Sequence, residues 1–238
     1  MKTAVLFDLG NTLAAYYERQ EFPAILREAI LRVRDRLAGA DALRVSEDVM
    51  WRRTSGENHE APDHRVRPLE GRLGRIFGLG EGREHAGAGL DGLCRAFLEP
   101  IFARGRLYDD VLPELEELRR RGLRVGLASN TPWGSPAHLW REELRRLALT
   151  PRLDVAVFCR DVGWRKPAPQ AFESALRQLR VGPQDCAFVG DDPLWDVAGP
   201  AAVGIKPILI ARGEGQPRAR PEAALRSLDG LRRLLEQP

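Results

Sequence analysis

Histidine, cysteine and methionine are scarce in this 238-residue chain, at four, three and two residues, and aromatic residues make up only 7%. Cys94, Cys159 and Cys186 cannot all pair and form no Cys-x-x-Cys, which points away from a disulfide framework and toward a reducing compartment. His59, His64, His85 and His138 stand isolated, with no metal-site spacing between them, so a zinc centre has no ligand set. No apolar stretch approaches the roughly 20 residues a membrane-spanning helix needs, and Met1 to Asp8 lacks the pattern of a signal peptide. The expectation is a cytoplasmic protein with no membrane partner. Gly71-Arg-Leu-Gly74 and Gly78-Leu-Gly80 make no dinucleotide fingerprint, and neither a Gly-x-x-x-x-Gly-Lys phosphate loop nor a Gly-x-Ser-x-Gly elbow occurs.

What is present fits an ordinary folded cytosolic protein. Hydrophobic residues reach 43% and charged residues 30%, outside the disordered range, and the length suits one α/β core with a smaller second domain. The net charge of +3 and the pI near 9.0 permit anionic partners. The arginines, such as Arg119 to Arg121, Arg145, Arg146, Arg232 and Arg233, are scattered along expected helices, so they read as solvated faces and no nucleic-acid partner is expected.

Ala4 to Phe7 is a short apolar run that stops at Asp8, the pattern of a buried parallel strand with a polar tip. From Tyr16 to Phe102 the pattern is helical: Phe22 to Leu37 is one amphipathic helix, with further helices at Ser46 to Thr54, Leu69 to Phe77 and Gly87 to Phe102. After Leu107 helices and strands alternate. Val111 to Arg121 is a helix closed by Gly122, followed by a strand at Leu123 to Ala128, a helix at Pro136 to Leu147 and a strand at Val155 to Phe158. A helix at Pro169 to Leu179 leads to a strand at Cys186 to Val189. A helix at Trp195 to Ala202, a strand at Pro207 to Ala211 and a terminal helix at Leu225 to Leu235 complete the chain. Such alternation builds a Rossmann-like parallel sheet. The expected fold is therefore an α/β core, residues 1–14 and 105–238, with an α-helical cap, residues 15–104, inserted after the first strand.

Ligands in these sheets bind beyond the C-terminal ends of the strands. Asp8, Ser129 with Asn130, and Asp191 with Asp192 all fall there, and Lys166 lies in a strand-to-helix loop. Asp8, Asp191, Asp192 and Asp196 would crowd several carboxylates together, and a hard cation, magnesium, relieves that repulsion through oxygen ligands. Lys166 and Ser129 would then cradle a transferring phosphoryl group, and Asp8 would attack phosphorus. Each of these residues alone is as easily a helix or turn cap; their joint placement is what points to chemistry. Trp133, Trp164 and Trp195 either wall a pocket or pack between loops, and Arg65 and Arg67, near His59 and His64, either touch substrate or face solvent.

Phe7-Asp8-Leu9-Gly10-Asn11-Thr12-Leu13, Ser129-Asn130, Lys166-Pro167 and Gly190-Asp191-Asp192-Pro-Leu-Trp-Asp196 resemble the four ordered motifs of the haloacid dehalogenase superfamily. The helical insertion resembles the cap that family places between its first and second motifs, and the likeness covers nearly the whole chain. The resemblance implies a covalent nucleophile at Asp8, phosphate binding by Ser129 with Asn130, and stabilisation by Lys166. It also implies a magnesium site of Asp8, Asp191 and the Gly10 carbonyl, supported by Asp192 and Asp196. The substrate so implied is a small phosphorylated metabolite, such as a sugar phosphate or acyl phosphate. One position departs from the family's phosphatases: Gly10 stands where they carry a second Asp that protonates the leaving oxygen. Two alternatives stay open, a dehalogenase attacking carbon without magnesium and a catalytically weak relative that binds phosphate ligands. Oligomeric state, monomer or homodimer, is left undecided.

Overall fold

The structure, a computed structural model, describes residues 2–40, 43–59, 62–80, 89–212 and 224–236. His85 and the expected helix start at Gly87 lie outside them. Strand β1 (Ala4–Phe7) runs to Asp8, and a two-residue strand β2 (Ala14–Ala15) leads into four helices: α1 (Phe22–Gly39), α2 (Glu47–Glu57), α3 (Leu69–Phe77) and α4 (Leu90–Phe102). The chain returns through β3 (Arg106–Leu107), α5 (Val111–Arg120), β4 (Arg124–Ser129), α6 (Ala137–Arg146), β5 (Val155–Phe158), the short α7 (Cys159–Val162) and α8 (Gln170–Leu179). Strand β6 (Cys186–Gly190), a π-helical segment at Pro193–Ala198, α9 (Gly199–Ala202), β7 (Lys206–Ile210), β8 (Ala224–Leu225) and α10 (Leu231–Glu236) follow.

The sheet is parallel throughout, in the order β5-β4-β1-β6-β7-β8. Central strand β1 shows why its sequence is apolar at every position. Val5 and Phe7 join the larger apolar cluster, which extends into the cap helices, while Ala4 and Leu6 join a second cluster with Phe172, Ala175 and Leu179 of α8. Both faces are covered by helices, so no polar alternation survives.

The first strand and the return from the cap are joined by a small antiparallel ribbon, Ala14 opposite Leu107 and Ala15 opposite Arg106. Beside it Tyr16 donates its hydroxyl to the buried Glu143 carboxylate at 3.2 Å, and Arg146 donates to the carbonyls of Phe102 and Gly105. Both chain segments entering and leaving the cap are thereby tied to α6. Further bonds span the same seam: Arg95 to Glu142, His138 to Asp91 and Arg160 to Glu70, the last at 2.9 Å.

The expected terminal helix begins late. Leu225, Leu228, Leu231 and Leu235 keep helical spacing, but Leu225 pairs with Ile210 at the sheet edge, and Ala211 donates its amide to the Leu225 carbonyl. The helix starts only at Leu231. The expected helix from Trp195 to Ala202 is instead two pieces, with Pro200 in the first turn of the second, where its missing N–H costs little.

Packing at the sheet centre is tight around Gly126, which is paired with Leu6 and Val155. A methyl group there would sit 2.5 Å from a Val155 methyl and 2.8 Å from a Leu6 methyl. Gly126→Ala is expected to lower stability by about 1–3 kcal/mol through overpacking, read as a reduced urea midpoint with an unchanged m-value. All three cysteines are buried, and burial pushes the Cys186 thiol up to about 12 and the Cys94 thiol higher still. Thiol titration with a disulfide reagent should therefore find almost no reactive sulfur in the native protein and three in denaturant.

Candidate active site

Four pieces of backbone deliver the expected residues to one edge of the sheet. Asp8 leaves β1 with its amide donating to the Val189 carbonyl at 2.9 Å, which sets it beside the end of β6, where Asp191 emerges. Ser129 is the last residue of β4. Lys166 arrives from the loop between α7 and α8, and Asp196 from the π-helical segment after β6.

The Lys166 ammonium lies between two carboxylates, donating to Asp8 Oδ1 and to Asp196 Oδ1, each at 2.6 Å. Lys166 and Asp196 are almost wholly buried. Burial alone would drive the lysine toward its neutral form, but Asp196 and Asp8 outweigh it and hold the ammonium well above the usual range. The second oxygen of Asp196 accepts the Asp192 amide at 3.1 Å.

Carboxylate oxygens of Asp8, Asp191 and Asp196 lie within 4.8 Å of one another. One ammonium against three carboxylates leaves two negative charges uncompensated. At that separation each like pair costs about 3 kcal/mol even at an effective dielectric near 20. The strain registers in the acids themselves. Burial first, then Asp196 and Asp8, raise Asp191 well above the ordinary carboxylate value, and burial with the charge of Asp8 lifts Asp196 to about 7 despite its lysine. A group of hard oxygens with a deficit of two charges fits a divalent cation.

Two expected members of the site spend their polar groups elsewhere. Asp192 turns its carboxylate to the amides of Leu194 and Trp195, at 2.8 and 2.9 Å, capping the segment that carries Asp196. It shapes the acid site without joining the carboxylate cluster. Asn130 bonds the Lys166 backbone with both ends of its amide, donating to the carbonyl at 3.2 Å and accepting the N–H at 2.8 Å. Its place is behind the lysine, as a clamp. Ser129 is buried at the end of its strand, its hydroxyl 3.2 Å from the Asn130 carbonyl. Gly10 lies in the turn after Asp8, bridged to Ala14.

All three tryptophans make packing contacts in the structure. Trp133 is 4% exposed, stacks on Phe97 of the cap at 5.3 Å and donates to the Asn58 side chain, so it packs core against cap. Trp164 lies under the Arg65 guanidinium, in an antiparallel bridge where Val66 donates to the Gly163 carbonyl and Arg165 donates to the His64 carbonyl. Arg65 thus packs on the loop that precedes Lys166, while Arg67 pairs with Asp63. The π-face of Trp195 meets Arg165.

A family model described as haloacid dehalogenase-like hydrolase matches residues 2–204. The chain belongs to the haloacid dehalogenase-like hydrolases. Phosphoserine phosphatase of Thermus thermophilus is 32% identical over 228 residues, covering 92% of this chain and 86% of that protein. Ribulose-1,5-bisphosphate 5-phosphatase of Halopiger xanaduensis is 30% identical over 223 residues, 90% of this chain and 87% of its own. Among solved structures, a 2-haloacid dehalogenase from Pseudomonas syringae superposes with a TM-score of 0.73 at 27% identity, covering 99% of this chain and 98% of that one. The parallel core with inserted helical cap and the hydrolase class expected from the motifs hold. No helix among the described residues is long and apolar enough to cross a membrane.

If the two missing charges are supplied by a cation, adding magnesium chloride to metal-free protein should raise the thermal midpoint. The gain is about 2.7 kcal/mol at a hundredfold excess over the dissociation constant. Asp191→Asn removes one of the uncompensated charges, so its midpoint should be higher than wild type without metal and insensitive to the salt.

Proposed function

We propose that this hydrolase cleaves a small phosphate monoester or acyl phosphate through an aspartyl phosphate on Asp8, with magnesium as its cation. The observation that carries the reading is the buried Lys166 ammonium between Asp8 and Asp196 with Asp191 alongside, since a dehalogenase attacking carbon has no use for a cation-binding cluster. Relatives named as phosphatases of phosphoserine, glyceraldehyde 3-phosphate and ribulose-1,5-bisphosphate support the substrate class.

In this reading Asp8, Asp191 and the Gly10 carbonyl would hold magnesium, which when bound would supply positive charge to offset that of the phosphoryl oxygens. Lys166 orients Asp8 through their hydrogen bond, and its ammonium faces the same oxygens. Ser129 donates its hydroxyl to the phosphoryl group. The Asp8 oxygen bonds to phosphorus while the bond to the leaving oxygen breaks, its electron pair departing with the leaving group. Water then attacks the aspartyl phosphate, releasing inorganic phosphate and regenerating the carboxylate. Residues 15–104 act as the cap of residues 1–14 and 105–238, and close over the leaving group.

Gly10 bears on the leaving group. With no carboxylate there to donate a proton, the site favours leaving groups that depart as stable anions, such as acyl phosphates or sugar 1-phosphates. The 2-haloacid dehalogenase likeness makes carbon–halogen hydrolysis the competing reading.

Phosphate release from a panel of alkyl, sugar and acyl phosphates should require magnesium and fall on the order of 10,000-fold or more in Asp8→Asn. Halide release from a 2-haloacid, undiminished by chelator, would overturn the proposal. A Cβ at position 10 would meet no atom within 4 Å, so Gly10→Asp starts from open space. That variant should raise kcat on alkyl phosphates by on the order of 100-fold while changing acyl phosphate turnover little.

A further inference from the structure

Beyond the four motifs, one residue at the same edge of the sheet is bonded to the nucleophile's loop. Arg212 lies two residues past the end of β7, next but one to the strand that delivers Asp8. Its side chain is only 8% exposed. The Nε and Nη2 groups both donate to the Thr12 carbonyl, at 3.2 and 2.9 Å, across 200 residues of sequence. Nη1 donates to Asp110 Oδ2 at 2.6 Å, and the guanidinium lies 4.2 Å from the centre of the Tyr108 ring. Asp110 is fixed in turn by the Leu228 amide, at 2.7 Å.

Thr12 closes the turn that begins at Asp8. Leu13 and Ala14 both donate to the Leu9 carbonyl, Asn11 donates to Ala14, and Tyr108 donates to Leu13. Thr12 itself is fully buried, and its hydroxyl has no partner among the described residues, so Arg212 is what satisfies its carbonyl. A two-pronged guanidinium does this with fixed geometry, which an ammonium cannot reproduce.

We infer that Arg212 is a positioning residue for the nucleophile: by holding the Thr12 carbonyl it sets the turn from which the Asp8 carboxylate and Gly10 are presented. The inference rests on the phosphohydrolase reading only for its effect on turnover. Its structural half is independent of any substrate.

Two variants and two readouts test it. Arg212→Lys keeps the charge beside Asp110 and loses the fork onto Thr12, while Arg212→Met removes both. Amide hydrogen exchange, measured without substrate, should quicken at least tenfold at Leu13 and Ala14 in Arg212→Lys and stay unchanged in β4 and β6. With magnesium and p-nitrophenyl phosphate, kcat should fall on the order of tenfold or more with KM within about twofold, and methylguanidinium should restore part of the loss in Arg212→Met. Unchanged exchange at Leu13 and Ala14 in Arg212→Lys overturns the inference. So does a kcat within twofold of wild type, or exchange that quickens equally throughout the sheet. If the wild type itself turns over no phosphate, the phosphohydrolase reading fails and the exchange result still decides the role of Arg212.

Discussion

A lysine ammonium buried between two carboxylates is the contact on which the rest of this site depends. Lys166 has almost no solvent to fall back on, and removing it would strand both Asp8 and Asp196 without their cation, a loss of about 3–5 kcal/mol for buried pairs in general. Much of the surrounding structure serves to keep the three groups together. Asn130 grips the lysine backbone from the end of β4, and Asp192 caps the segment that carries Asp196. Residues read in sequence as a single acidic motif therefore divide their labour: one carboxylate joins the cluster beside Asp8, one holds the lysine, and one caps the segment that follows.

The parallel sheet was legible because its strands are buried on both faces and read as apolar runs, three of them ending in polar residues at the same edge. The cap helices were legible from their three- and four-residue apolar spacing. What could not be read was anything two residues long. Ala14–Ala15, Arg106–Leu107 and Ala224–Leu225 have no periodicity, and Leu225 was drawn into a helix because its spacing to Leu228 and Leu231 satisfies one. The same limit applies at the site. Asp192 and Asn130 have the right chemistry to touch a ligand, and only geometry shows their polar atoms turned to backbone. Arg212 was missed although it follows an expected strand at the correct edge, because one arginine among many carries no signal until its partner 200 residues away is known.

Charge balance also frames the meaning of Gly10. A second carboxylate at that position would deepen a deficit that already stands at two, so its absence moderates the electrostatic load of the cluster as well as removing a proton donor. The open space around Gly10 shows that packing does not enforce the glycine.

The strand-like pairing of residues 64–66 with 163–165 joins the helical insertion directly to the loop that ends in Lys166. Insertions of this kind are attractive units for exchange between relatives, since they join the core through only two short segments. Here the insertion has a third attachment, made through backbone amides and carbonyls immediately before the lysine. A chimera that imports a foreign insertion without matching residues 163–165 would leave the N–H of Arg165 and the carbonyl of Gly163 without those partners. In this protein, recombination to obtain new specificity has to treat the two stretches as one inherited piece.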